Sequence, residues 1–149
     1  MIPVLLIHGP NLNLLGQREP EVYGTRTLVE LEQAVAAYGS TCGVKLLCKQ
    51  SNHEGVLIDW IQQASRDAMG VIFNPGAYAH YSYALHDAIT AIAPLPVVEV
   101  HLSDIAAREQ FRHTSVTEPA CAAFFAGKGQ ESYFDAIDFL VGCAMDDQE

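Results

Sequence analysis

Met1-Ile2-Pro3-Val4-Leu5-Leu6-Ile7-His8-Gly9-Pro10-Asn11-Leu12-Asn13 opens the chain, and the reading of this stretch decides the fold class. Its apolar run is too short to cross a membrane and has no basic residue ahead of it. It passes straight into glycine, proline and asparagine. That is the pattern of a strand buried on both faces and stopped by a polar loop, not of a signal peptide. The unit recurs. Short apolar runs stand at 4–8, 44–49, 71–74, 97–101 and 120–126, each the length of a central strand.

Helical patterns fill the intervals. Thr27-Leu28-Val29-Glu30 predicts a capping box, followed by a stripe of Leu31, Ala34, Val35 and Tyr38 and a stop at Gly39. Ser51-Asn52-His53-Glu54 predicts a second box ahead of Val56, Leu57, Trp60, Ile61 and Ala64. A third helical pattern runs over 81–92 until Pro94 ends it. Ser103 or Asp104 heads a short helix through Gln110, and 133–145 supply the last. Strand and helix alternating over 149 residues, without repeat or linker, predict one α/β domain spanning 1–149. Its core is a doubly wound parallel sheet with helices on both faces. Five strands suit a flavodoxin-like order, whereas two Rossmann halves would want six.

Composition narrows the function. Eight Lys and Arg against eighteen Asp and Glu leave a formal net charge of −10. This argues against nucleic acid and against anionic membranes as partners. A small anion held by a few local arginines remains compatible with it. No apolar stretch approaches the ~20 residues of a membrane span. Cys42, Cys48, Cys121 and Cys143 form no CxxC pair and read as buried free thiols, which suits the cytoplasm.

In a doubly wound sheet, ligands bind beyond the carboxyl ends of the strands. There the sequence places Gly9-Pro10-Asn11-Leu12-Asn13, Gln50-Ser51-Asn52-His53-Glu54, Asn74-Pro75-Gly76-Ala77-Tyr78-Ala79-His80 and Glu99-Val100-His101-Leu102-Ser103. Glu99 and His101, two apart in a strand, leave the same face, and a carboxylate beside an imidazole orients an acid–base group. A satisfied buried ion pair at a strand end is the alternative, and the functional reading is favoured. His80 and Asp87 share a face if both lie on the third helix, while His86 falls on another, so a histidine clamp there is disfavoured. His80 equally fits a capping or packing role. For Arg108 a surface pair with Asp104 or Glu109 is the favoured reading, and Arg112 is balanced between surface and site.

Residues 15–27, hinged by Gly16 and Gly24, have little periodicity and read either as an active-site lid or as a mobile surface loop. Arg18 and Tyr23 lie within them. A phenol, ordinarily with a pKa of ~10, works as a base near neutrality only if a cation favours the phenolate. No GxGxxG, P-loop, GxSxG, HExxH or zinc spacing occurs.

These blocks, taken together, resemble the type II 3-dehydroquinate dehydratases. The resemblance is carried by His8-Gly9-Pro10-Asn11-Leu12-Asn13-Leu14-Leu15-Gly16 with Arg18-Glu19-Pro20 and Tyr23-Gly24. It continues in family order through Gln50 to Gly55, Asn74-Pro75-Gly76-Ala77 with His80, Glu99 to Ser103, and Arg108-Glu109 with Phe111-Arg112. It implies a flavodoxin-like fold and the loss of water from 3-dehydroquinate to give 3-dehydroshikimate, in the shikimate pathway of aromatic biosynthesis. No cofactor and no metal are implied. By position, Tyr23 would take the C2 proton with Arg18 holding it as phenolate, and Asn11 would place a water on the enolate. His101, oriented by Glu99, would protonate the leaving C1 hydroxyl. Asn74, the backbone N–H groups of Leu102 and Ser103, and the Ser103 hydroxyl would hold the substrate carboxylate. His80 and Arg112 would bind ring hydroxyls, and Asp87 would approach a neighbouring subunit's site. The implied assembly is a homododecamer of four trimers.

Two positions depart from the family pattern, His8 where Asn is frequent and Asp104 where Asn is common. His8 is expected at a strand end behind the site, and Asp104 is expected to cap the next helix. Two rivals stand beside the enzyme reading. One is a flavodoxin-like module that binds a small ligand without catalysis. The other is a metal-dependent hydrolase using His80, Asp87 and His101.

Overall fold

The computed structural model describes residues 1–148, Tyr23 by its backbone alone. Five strands, β1 (Ile2–His8), β2 (Val44–Gln50), β3 (Gly70–Asn74), β4 (Val97–His101) and β5 (Ala123–Ala126), form one sheet in the order β2-β1-β3-β4-β5. Every pairing is parallel; β1 lies between β2 and β3 with Leu6 opposite both Cys48 and Ile72. This is the flavodoxin-like doubly wound order. The helices are α1 (Pro20–Tyr23), α2 (Leu28–Thr41), α3 (Glu54–Asp67), α4 (Tyr83–Ala91) and α5 (Gln130–Asp146). Among the described residues no helix is long and apolar enough to cross a membrane.

Alternation along each strand divides the core in two. Val4, Leu6, Ile72, Val98 and Val100 face α2 and α5, where Leu31, Val35, Ile137 and Leu140 complete one cluster. Leu5, Ile7, Val71, Phe73 and Val97 face α3 and α4, meeting Leu57, Ile61, Leu85 and Ile89. The three inner strands are therefore apolar at consecutive positions, and each buried aliphatic side chain contributes roughly 1.5–3 kcal/mol. Gly70 begins β3 where Leu140 of α5 presses closest, since a Cβ there would stand 2.7 Å from its Cδ2.

Helix ends obey the local signals in part. The Thr27 box forms: its hydroxyl accepts from the Glu30 N–H at 3.2 Å, and the Glu30 carboxylate accepts from the Thr27 N–H at 3.4 Å. The stop expected at Gly39 does not occur. That glycine is buried within α2 against Val44 and Ile137, and the chain turns at Gly43, whose φ is +78°. The box expected at Ser51 also fails, because Glu54 is already the first helical residue of α3. Ser51 instead accepts from the His53 N–H, and Glu54 accepts from the Ser82 hydroxyl at 2.6 Å. Ser82 caps α4, which is shorter at both ends than 81–92.

After β4 there is no single helix through Gln110. Asp104, not Ser103, caps a 3-10 turn Ile105–Ala107, and a second turn covers Gln110–Arg112. β5 starts at Ala123 rather than at residue 120, because Pro119 sits in a 3-10 turn Glu118–Ala120. α5 begins three residues before Tyr133. The four cysteines are free but half-buried rather than fully buried, at helix ends and sheet margins.

Candidate active site

The pocket lies where the inner strands end. Gly9, after β1, hydrogen-bonds the Asn74 carbonyl at the end of β3. A Cβ on Gly9 would stand 2.7 Å from the Pro75 backbone, so only glycine allows the two strand-end loops to meet. Asn11 follows with φ +69°, the left-handed conformation that asparagine tolerates best after glycine. Its N–H donates to Asn52 Oδ1 at 3.0 Å. Gln50 Nε2 donates to that same oxygen and to the Gly9 carbonyl, both at 3.1 Å. The exposed Asn11 side chain is thus carried on a braced loop.

β4 contributes the acid–base pair. His101 Nε2 lies 2.8 Å from Glu99 Oε2, and both residues are buried, Glu99 completely. A fully buried carboxylate persists only with donors around it. The loop before β5 provides two: Ser115 Oγ donates to Oε2 at 2.7 Å, and Thr117 Oγ1 donates to Oε1. Ser115 Oγ also accepts from the Glu118 N–H, which orients its own proton toward Glu99. The remaining ring nitrogen of His101 is left for chemistry, with the imidazole fixed from behind.

β3 delivers Asn74, 3% exposed, whose amide donates to Tyr133 Oη at 2.9 Å and whose Oδ1 accepts from the Gly76 N–H at 3.0 Å. Burial pushes the Tyr133 phenol well above its ordinary range, so it stays a neutral partner. His80 closes the 3-10 turn Gly76–His80. Its Nδ1 lies 2.8 Å from the Thr114 carbonyl and so is the protonated nitrogen, with Nε2 as acceptor. Partial burial, opposed by the Thr114 bond, moves its pKa down, which keeps the ring neutral at pH 7.

The pocket lining gathers Asn11, Arg18, Asn74, His80, His101, Leu102, Ser103, Arg108 and Arg112, with the backbone of Gly76 and Ala77. Three arginines in one cleft offset the acidity of the chain locally. Glu19 reaches Arg18 at 3.5 Å and Arg108 at 3.6 Å, tying the loop after β1 to the loop after β4. The surface pairing expected for Arg108 is therefore corrected: it lines the pocket and meets Glu19. Arg112 donates through Nε to Glu109 Oε2 at 2.5 Å and stacks over Phe111, so its fork is held in place in the pocket lining.

Three expected residues stand apart. Glu99 is behind the pocket rather than in its wall. Asp87 is on an exposed side of α4 beside His86 and does not line the pocket. It does not share a helix face with His80, because the 3-10 turn ends before Ser82 starts α4. The side chain of Tyr23 lies outside the described residues; its backbone ends α1, which Pro20 begins within the 15–27 segment. That segment thus contains one helical turn that its sequence did not suggest. The hydrolase grouping of His80, Asp87 and His101 does not come together at this pocket.

The family model for class II dehydroquinase matches residues 2–141, which include all five strands and every pocket residue. The chain belongs to the class II dehydroquinase family. Relatives of the chain include the 3-dehydroquinate dehydratase of Thermus thermophilus, 54% identical over 138 residues and covering 92% of each chain. The 3-dehydroquinate dehydratase of Maricaulis maris is 53% identical over 139 residues, 93% of this chain and 94% of that one. Among solved structures, type II dehydroquinase from Butyrivibrio crossotus has a TM-score of 0.91 at 44% identity, covering 93% of this chain and 97% of that one. A 3-dehydroquinate dehydratase-like protein from Bifidobacterium longum is more distant, with a TM-score of 0.73 at 29% identity over 97% and 98% of the two chains.

Sequence alone placed Gln50 and Asn52 at a strand end of this dehydroquinase without revealing that they brace Asn11, and it did not single out Tyr133 behind Asn74 or Ser115 and Thr117 on Glu99. A signal existed for the last pair. Two hydroxyls spaced i, i+2 just ahead of a strand that pairs with β4 can face one carboxylate. For Tyr133 the pattern showed only a helix start.

Proposed function

We propose that the strand-end pocket removes water from 3-dehydroquinate to give 3-dehydroshikimate, as a hydro-lyase of the shikimate pathway. The observation that carries this reading is the buried Glu99–His101 pair facing a cleft that also holds Arg18, Asn11 and Asn74. A β-hydroxy ketone has an acidified proton beside its carbonyl. One base, one enolate stabiliser and one acid are then sufficient. In this reading Tyr23, as phenolate beside Arg18, takes the C2 proton and the electron pair moves onto the C3 carbonyl oxygen. Asn11 holds a water against that oxygen. The enolate collapses, the C1–O bond breaks, and His101 gives its proton to the departing hydroxyl, so that water leaves.

The same pocket lining supports the reading of how substrate is bound. Asn74, the N–H groups of Leu102 and Ser103, and the Ser103 hydroxyl take the carboxylate. Neutral His80 accepts from a ring hydroxyl through Nε2, and Arg112 contacts another. Asp87, exposed on α4, is assigned to a neighbouring subunit's site in a dodecamer of four trimers. We read residues 1–149 as one catalytic domain working in the cytoplasm, which the four unpaired cysteines favour. A non-catalytic binding module leaves the buried Glu99–His101 pair without a task and is not favoured.

The test is ultraviolet absorbance with 3-dehydroquinate in the presence of chelator, since the conjugated enone absorbs and the substrate does not. Turnover is expected. Tyr23→Phe is expected to retain the circular dichroism spectrum and lose at least ~1,000-fold in kcat, the scale of a general base. Near-normal kcat in that variant removes Tyr23 as the base. A folded wild-type chain without turnover overturns the enzyme reading.

A further inference from the structure

On the opposite side of β1 from α3 and α4, three side chains far apart in sequence converge. His8 ends β1, Cys48 lies on the adjacent β2, and Glu32 reaches down from the second turn of α2. One ligand atom of each, an imidazole nitrogen, the thiol sulfur and a carboxylate oxygen, lies within 4.8 Å of the others. None of the three lines the pocket. We propose that His8, Glu32 and Cys48 hold a zinc(II) ion in a structural site separate from the catalytic chemistry.

The first argument is His8. Its ring is completely buried, and among the described residues neither ring nitrogen has a hydrogen-bond partner. A buried polar atom left unpaired costs about 1–3 kcal/mol. Glu32 Oε2 stands 3.5 Å from His8 Nε2, too long and poorly aligned for a strong bond. For a tetrahedral ion with bonds of about 2.0–2.1 Å, however, neighbouring nitrogen and oxygen ligands sit roughly 3.3–3.4 Å apart. The observed 3.5 Å is close to that spacing.

The second argument is charge and ligand type. Imidazole, thiolate and carboxylate together suit zinc, and one thiolate plus one carboxylate neutralise a divalent ion at a half-buried position. Burial, with Glu32 beside it, pushes the Cys48 thiol up. Metal binding reverses this: the S–H bond breaks, the proton passes to solvent, and the sulfur's electron pair forms the bond to zinc. Glu32 is 25% exposed, which gives a route for the ion and room for water as fourth ligand.

Cobalt(II) reports on the site. With zinc-free, fully assembled protein, one equivalent per chain is expected to produce a near-ultraviolet thiolate-to-cobalt band that zinc abolishes. Cys48→Ser should lose the band, while Cys42→Ser, changing another half-buried thiol, should keep it. His8→Asn should weaken cobalt binding at least tenfold. Absence of the band, or its persistence in Cys48→Ser, overturns the proposal. A second measurement does not depend on how the variants fold. Zinc should protect Cys48 from alkylation, read by mass spectrometry, at concentrations that leave Cys42 reactive. Equal alkylation of Cys48 with and without zinc overturns the proposal as well.

Discussion

At the scale of single residues, the site depends on side chains that touch no substrate. Glu99 accepts from Ser115, from Thr117 and from the imidazole it orients. Each hydroxyl removed lets the carboxylate rotate, and the His101 ring moves with it. An ångström of misplacement costs up to about 100-fold in rate. Ser115→Ala is therefore expected to lower kcat about 10- to 100-fold with KM changed less than about threefold, and Ser115→Thr to restore part of it. A proportional rise in KM instead would place Ser115 in substrate binding. His8 illustrates the opposite case, a residue in the same strand system whose side chain points away from the pocket.

Elements obey their own signals until packing outweighs them. Thr27 and Glu30 lie at a surface helix start, where capping has no competitor, and the box forms as its sequence predicts. Thr27→Ala is expected to destabilise the protein by ~1 kcal/mol in denaturant melts with kcat unchanged. No change in stability would show that α2 is held by its buried face alone. Gly39 is a stop signal that yields, because α2 gains Val44 and Ile137 as neighbours by continuing past it. Ser51 loses its box because α3 starts only at Glu54, whose carboxylate accepts from Ser82 of the next helix. Both exceptions come from residues distant in sequence, which local propensity does not register.

In the whole molecule, the sheet joins core and function. Ile72 is fully buried in the middle strand, opposite Leu6 and Val98 and beneath the α5 packing layer. Ile72→Ala is expected to cost about 2–5 kcal/mol by chemical denaturation. Stability within 1 kcal/mol of wild type would mean that the surrounding helices collapse into the space. The parallel order brings the carboxyl ends of β1, β3 and β4 to one edge, and Gly9 lets their loops touch there. Glu19 then bridges the Arg18 and Arg108 loops over the cleft.

What the chain alone determined is what depends on near neighbours. Burial on two faces makes inner strands apolar at consecutive positions, so β1, β3 and β4 were legible. The abrupt change to Asn, His and Gly at their ends marked the edge where chemistry gathers. Tertiary structure alone decided who meets whom there. Hydrogen bonds and ion pairs act over about 3 Å in space at any separation in sequence. Ser115 on Glu99, Tyr133 on Asn74, Glu19 between two arginines, and Cys48 and Glu32 beside His8 leave no linear period. They exist only once the sheet order has brought their strands and helices together.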